Sequence, residues 1–232
     1  MENPNDARRK LAWAARTLAQ LKSQVLQAQK DNHKDLQRPD FLWHYLLQSF
    51  ATMGGVAGWQ GLIGNEDNYG QVTYEAVGSL REEKRLEHVT EVCERAKVRY
   101  AKRKAEFIIG CYDKIRRIGG LEAAKAQLLT QLNRNGKIAF LKSFPGIGEK
   151  YARNIMMDVY QDDFRDAIAV DSRIKAISAK WGLEFASYVE HEEFYLSVAR
   201  EAGLNGWELD RLMFRFQTVF YPPIAARNEN DL

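Results

Sequence analysis

Between two runs of helical periodicity the chain reads Phe144-Pro145-Gly146-Ile147-Gly148-Glu149-Lys150, and this stretch constrains the fold more than any other. Two glycines let the backbone turn its N–H groups toward one point, and the helix that follows adds the positive end of its dipole. A bare Gly-x-Gly is also common in tight helix–helix turns that bind nothing. The flanks carry the remaining weight, because Leu141 before the turn and Ala152 and Ile155 after it are apolar where two helices must pack closely. The segment predicts a hairpin of two helices over residues 138–160 whose turn, Gly146, Ile147 and Gly148, is shaped to seat an anion.

Helical periodicity continues on both sides. Leu11, Ala14, Leu18, Leu21, Val25 and Ala28 recur at three- and four-residue steps, which predicts a helix over residues 7–30 with one apolar stripe. The stripe is too short for a dimerising coiled coil to be the first reading, so it is expected to pack on the same molecule, with a partner or dimer seam as the alternative. A second helix starts near Pro39-Asp40 and runs to Thr52, where Gly54, Gly55 and Gly58 loosen or end it. Residues 64–80 read as a loop with a short helix. From Glu82 to Ile118 the pattern predicts one charged helix, stopped by Gly119-Gly120, then a helix over Leu121–Asn133 and a turn at Asn135-Gly136. Asp171 stands where an N-cap belongs for a helix reaching Trp181, and two more helices occupy Glu190–Ala202 and Trp207–Phe220. Strand-like alternation is nearly absent. The expected fold class is all-α, with an amphipathic extension over 1–38 and one larger unit over 39–232.

The 232 residues, 45% of them hydrophobic, suit one sizeable domain or two small lobes sharing a core. The net charge of +3 is mild, but Lys97-Val98-Arg99-Tyr100-Ala101-Lys102-Arg103-Lys104 and Lys114-Ile115-Arg116-Arg117 concentrate basic residues. Such runs are usually the solvated side of a helix; beside an anion seat they suit a polyanion. Two cysteines, Cys93 and Cys111, exclude a four-cysteine iron–sulfur cluster supplied by this chain and are expected as small core residues. The polar start leads to no signal-like apolar run, and no later run reaches transmembrane length, so an intracellular, cytoplasmic setting without membrane contact is expected.

Lys150 puts a primary amine at the start of the second hairpin helix, and Ala169-Val170-Asp171 puts a carboxylate at the start of the next. On pattern alone the first is a solvated lysine or phosphate clamp, and the second a plain cap.

Together these residues resemble the helix-hairpin-helix DNA glycosylase superfamily, whose mark is this hairpin followed by Val-Asp at the next helix start. Leu46-Leu47-Gln48-Ser49-Phe50-Ala51-Thr52 is similar to the early helix that leads to the DNA-wedging loop. Arg103-Lys104-Ala105-Glu106-Phe107-Ile108-Ile109 with Gly119-Gly120 is similar to the helix before the hairpin in the endonuclease III-like branch. The resemblance spans residues 41–220, most strongly 100–180, and implies a two-lobed helical fold with the active-site cleft between the lobes. It implies Lys150 as the amine that attacks the sugar C1′ and forms a Schiff base, a step that needs the uncharged amine, which burial and a helix N-terminus favour. Asp171 would stabilise the positive charge that develops on the sugar as the base leaves; Asp158, Asp162, Asp163 and Asp166 are inferior candidates because none follows Ala-Val.

On the same resemblance Gly146, Ile147 and Gly148 become a DNA-phosphate seat, with an alkali cation suggested between their carbonyls and the phosphate. Gln48, Phe50 and Met53 are candidates to fill the space left by a flipped nucleotide. Phe50 stands where the endonuclease III branch shows glutamine, so it would stack, and burial in the core is an equal alternative. Trp207, Phe214 and Phe216 are candidates for a base pocket, although at helical spacing they also suit a core. The chain departs from the pattern in the polar insert Gln161-Asp162-Asp163-Phe164-Arg165-Asp166 and in lacking the C-terminal cysteine loop, which leaves Tyr221-Pro222-Pro223 and the last helix to close the fold by packing. The implied function is a monomeric DNA glycosylase with abasic-site lyase activity on damaged duplex DNA, in base excision repair. It needs no cofactor and leans toward 8-oxoguanine; the alternative is a non-catalytic DNA-binding hairpin protein.

Overall fold

Pro4 occupies the first helical position, where its missing donor costs nothing, and the Asn3 side chain accepts from the Asn5 N–H, so helix α1 runs Pro4–Leu21. The computed structural model describes residues 3–53 and 55–222, among which there are helices, turns and no strand. This is the all-α class read from the pattern. Two compact units are present, one formed by Asp35–Ile155 and the other by Met1–Lys34 with Met156–Leu232. The opening helices therefore belong with the C-terminal third instead of standing apart over 1–38. Gly54 and Pro223 lie outside the described residues.

In the discontinuous unit, the helix expected through residue 30 breaks at Lys22 (φ −122°), and α2 (Ser23–Lys30) resumes in a new phase. Leu11, Ala14 and Leu18 are buried as the stripe requires, but Leu21 is exposed and Leu26 turns inward instead of Ala28. The stripe is covered within the chain by α13 (Tyr188–Ala202) and α14 (Gly206–Arg215). Arg8 pairs with Glu201 at 2.8 Å, and Arg16 donates to the carbonyl of Ala202 at 3.3 Å, fixing α1 along α13. Between these helices α12 (Ser172–Lys180) ends at Trp181, whose indole N–H donates to the Phe220 carbonyl at 2.8 Å.

In the Asp35–Ile155 unit, α3 (Phe41–Thr52) is apolar almost all round and forms the centre, with Phe41, Leu42, Trp43, Leu46, Leu47 and Phe50 buried. The glycines that follow do not simply end it. Gly58 lies inside α4 (Val56–Leu62), where a Cβ would stand 2.5 Å from the Ala51 carbonyl oxygen; at Gly61 it would stand 2.1 Å from that of Ala96. These residues are small because backbone passes against backbone. Residues 64–80 hold two short helices, α5 (Glu66–Gly70) and α6 (Tyr74–Ser79), each opened by a side-chain cap from Asn65 and Thr73.

The single helix expected over 82–118 is two, α7 (Glu82–Arg95) and α8 (Ala101–Ile118), folded back on each other. Lys97 (φ 57°) and Tyr100 (φ 59°) take left-handed backbone in the connection. Folding back lets Val89, Val92 and Cys93 share a core with Ile108, Cys111 and Ile115, and the burial of Val98 anchors the turn. Tyr100, at the end of that connection, is exposed. Both cysteines are free and buried, as expected of core residues. Next come α9 (Leu121–Leu129), α10 (Arg134–Lys142) and α11 (Glu149–Asp158). No described helix is long and apolar enough to cross a membrane.

Each unit holds a histidine whose desolvation pushes its pKa down to about 4: half-buried His44 beside the Tyr69 hydroxyl, and buried His191 bonded to Ser178 and stacked on Phe185. In the unfolded chain both take up a proton near the ordinary 6.5, while the folded protein does not until near 4. More protons are then bound in the unfolded state across that window, so these residues make stability fall as pH drops from about 6.5 to about 4. Urea unfolding across that range is expected to show this fall, and His191→Gln to flatten it.

Candidate functional site

The hairpin is built on α8. Asn133 caps α10 by accepting from the Gly136 N–H at 3.0 Å, so Asn135-Gly136 lies in the first helical turn and the hairpin opens four residues earlier than the expected 138. After Lys142 the chain closes tightly, with the Phe144 N–H on the Leu141 carbonyl (3.0 Å) and the Ile147 N–H on the Phe144 carbonyl (3.2 Å). Pro145 lies against Gly110, where a Cβ would come 3.0 Å from its ring, and Lys114 donates to the Ser143 carbonyl at 2.8 Å.

The two turn glycines serve different ends. Gly146 has φ +78°, and a Cβ there would stand 2.5 Å from the Phe107 ring and 2.9 Å from that of Phe50. Gly148 would meet nothing within 4 Å, and both glycines are exposed. Ile147 between them is buried, so its side chain anchors the turn and only its backbone can face a ligand. Gly146→Ala is expected to destabilise by about 1–3 kcal/mol, from left-handed strain and the ring clash. Gly148→Ala is expected to stay within about 0.5 kcal/mol of wild type by thermal unfolding.

Glu149 opens α11, paired with Lys142 and, at 2.6 Å, with Arg153; the hydrogen bond from Lys142 leads in holding its carboxyl below the ordinary range. The first N–H groups of a helix such as α11 have no partner inside it. Lys150 is half-buried at this end, with its Nζ 3.9 Å from the centre of the Tyr151 ring. In this unit the structure thus joins the seat, the amine and, through Gly146, the Phe50 ring.

Asp171 caps α12 as expected, with one carboxylate oxygen accepting from the N–H groups of Arg173 (2.8 Å) and Ile174 (3.0 Å). The other oxygen lies 3.6 Å from the Arg173 guanidinium, which itself stacks 4.0 Å over the half-exposed Phe214 ring. Asp171 keeps 12% of its side-chain surface. The segment leading to it is held by side chains from α13 and α14. Ile168 N–H donates to Glu192 (3.1 Å), Ala169 N–H to Asp210 (2.8 Å) and Val170 N–H to the Tyr188 hydroxyl (2.9 Å), which in turn donates to the Ile168 carbonyl. Extended backbone with no strand beside it is satisfied here residue by residue.

Glu192, Asp210 and Tyr188 were not among the residues singled out from sequence. A signal existed for Asp210, an acid on the apolar face of an amphipathic helix beside Leu209, Leu212 and Met213. Burial pushes its carboxyl up to about 6. Among the weaker carboxylate candidates, Asp158 pairs with Arg211 at 3.1 Å and Asp162 with Arg165, while Asp163 and Asp166 are exposed.

The remaining candidates divide. Phe50 has no exposed surface, so its packing role holds and it has no free face to insert. Gln48 is half-buried with its side-chain carbonyl 3.4 Å from the Trp59 indole nitrogen, and Met53 is half-buried at the end of α3. Trp207 is core: it is 1% exposed, and its indole donates to the Met157 carbonyl at 2.7 Å. A side chain so enclosed cannot line an open base pocket. Phe214 is half-exposed next to Arg173, and Phe216, half-buried, follows α14.

No protein-family model matches the sequence, and no curated protein matches it. Two solved structures match its fold. One is the 8-oxoguanine DNA glycosylase of Thermotoga maritima, at 19% identity and a TM-score of 0.68, over 90% of this chain and 97% of that one. The other is the 8-oxoguanine DNA glycosylase of Methanocaldococcus jannaschii, at 15% identity and a TM-score of 0.66, over 93% of this chain and 98% of that one. The chain has the fold of these two proteins.

Proposed function

We propose that this protein is a DNA glycosylase with abasic-site lyase activity, acting on duplex DNA in base excision repair as a monomer, with 8-oxoguanine as its base. The observation that carries the reading is the hairpin turn with Lys150 at the head of α11, in a fold shared with two 8-oxoguanine DNA glycosylases. The exposed backbone of Gly146 and Gly148 and the N-terminus of α11 bind a phosphate. The same exposure leaves room for an alkali cation between the turn carbonyls and that phosphate, where it would neutralise charge. Gln48 or Met53 fills the stack left by the flipped nucleotide, and Phe214 with Phe216 offers the base an aromatic face.

Lys150 attacks C1′ as the base departs, and Asp171 stabilises the positive charge that builds on the sugar. The resulting Schiff base loses a proton from C2′ and breaks the C3′–O bond, so the 3′-phosphate leaves and the strand is cut. Borohydride should trap a covalent complex between the wild-type protein and a duplex carrying 8-oxoguanine, and none with Lys150→Ala. Undiminished trapping and cleavage by Lys150→Ala would overturn the assignment. Salt-sensitive DNA binding without any cleavage would instead favour the non-catalytic hairpin protein.

A further inference from the structure

Lys104 lies in the first turns of α8 with 4% of its surface exposed, and its Nζ is 3.3 Å from the carbonyl oxygen of Phe50. That carbonyl is among the last four of α3, which lack partners within the helix and stand at the negative end of its dipole. Desolvation pushes the amine down to about 8; of the titratable groups facing it, Cys93 on α7 raises it and Arg103 on its own helix lowers it further. Desolvating a charged amine is costly, and the bond to the Phe50 carbonyl is the contact that offsets it.

The Phe50 residue that Lys104 holds by its backbone is engaged on its other side by the hairpin. Its ring lies 5.9 Å from that of Phe107, Gly146 is packed against both rings, and Arg103 stands 5.6 Å over the Phe107 ring. The end of α3, which leads into Met53, and the turn at Gly146 therefore share one contact.

We propose that Lys104 is a positioning residue that ties the α3 terminus to the hairpin turn, so that the phosphate seat and the side chain inserted from the α3 end meet one duplex in fixed register. The consequence for DNA rests on the glycosylase reading above; the mechanical tie does not.

Lys104→Met keeps the length and removes the charge. Hydrogen exchange in this variant is expected to rise about tenfold at Met53 and Gly55 and at Gly146 and Ile147 together. On a duplex with 2-aminopurine beside 8-oxoguanine, the fluorescence rise that reports base opening should fall about tenfold in the variant. In wild type the same rise should decline between about pH 7 and about pH 9 as the amine loses its proton, and in Lys104→Met it should be flat across that range. Exchange and opening unchanged from wild type would overturn the proposal, as would exchange that rises at one turn alone. Should the variant fail to fold, a flat wild-type response across the same pH range would refute it. A wild type that never opens lesion duplexes would count against the glycosylase reading, leaving the exchange experiment to decide Lys104.

Discussion

Asp171→Asn is expected to lower base excision about 10³-fold while leaving the thermal unfolding midpoint where it is. The two outcomes separate because the residue has two tasks in different atoms. One oxygen caps α12 through the N–H groups of Arg173 and Ile174, and an asparagine side-chain oxygen can accept both bonds equally well. What asparagine lacks is the negative charge that would face the developing cation. Asp171→Ala removes both, so it should lose excision to the same extent and about 1 kcal/mol of stability besides. If Asp171→Asn retained full excision, the carboxylate would be a cap and nothing more. Single-turnover excision and calorimetry on the same preparations decide the matter.

The second large effect belongs to Asp210. Truncation to alanine leaves the Ala169 N–H without its acceptor inside the protein, two residues ahead of Asp171, and opens a small void. About 2–4 kcal/mol of stability should go with it. Asparagine keeps the acceptor and sheds the buried charge. Because burial raises the folded pKa to about 6 from the ordinary 3.8, the folded state holds the extra proton between those values. This group therefore favours folding below about 3.8 and loses that contribution as pH rises through about 6, opposite in sign to His44 and His191. Asp210→Asn should be at least as stable as wild type near neutral pH and should lack that decline. Denaturant titrations at several pH values test the sign directly; an Asp210→Asn protein much weaker than wild type near pH 7 would show that the carboxylate is bound in its charged form by Arg211, 3.9 Å away.

Much of the candidate site was legible because its determinants are local. Glycine at 146 answers a left-handed backbone angle, Asp171 caps the helix it precedes, and the spacing of apolar residues sets both hairpin helices. Legibility failed where a residue's meaning depends on a distant neighbour. Lys97 and Tyr100 turn the chain in left-handed backbone with no glycine to announce it, so α7 and α8 read as one helix. Gly58 reads as a breaker, yet it marks the close passage of α4 beneath the Ala51 carbonyl. Phe50 and Trp207 are chemically apt for inserting into or lining a DNA site, and only packing removes them from that list.

By itself the sequence determined the all-helical class, the hairpin turn, the amine at its second helix and the cap at Asp171, since hydrophobic period, glycine conformation and capping act within a few residues. The tertiary structure alone decided which acids cradle the backbone before Asp171, that the opening helix packs along α13, and that a buried lysine grips the end of α3. Those contacts join residues from 24 to 186 positions apart, and their energies come from desolvation and from satisfying backbone groups that no local pattern pairs.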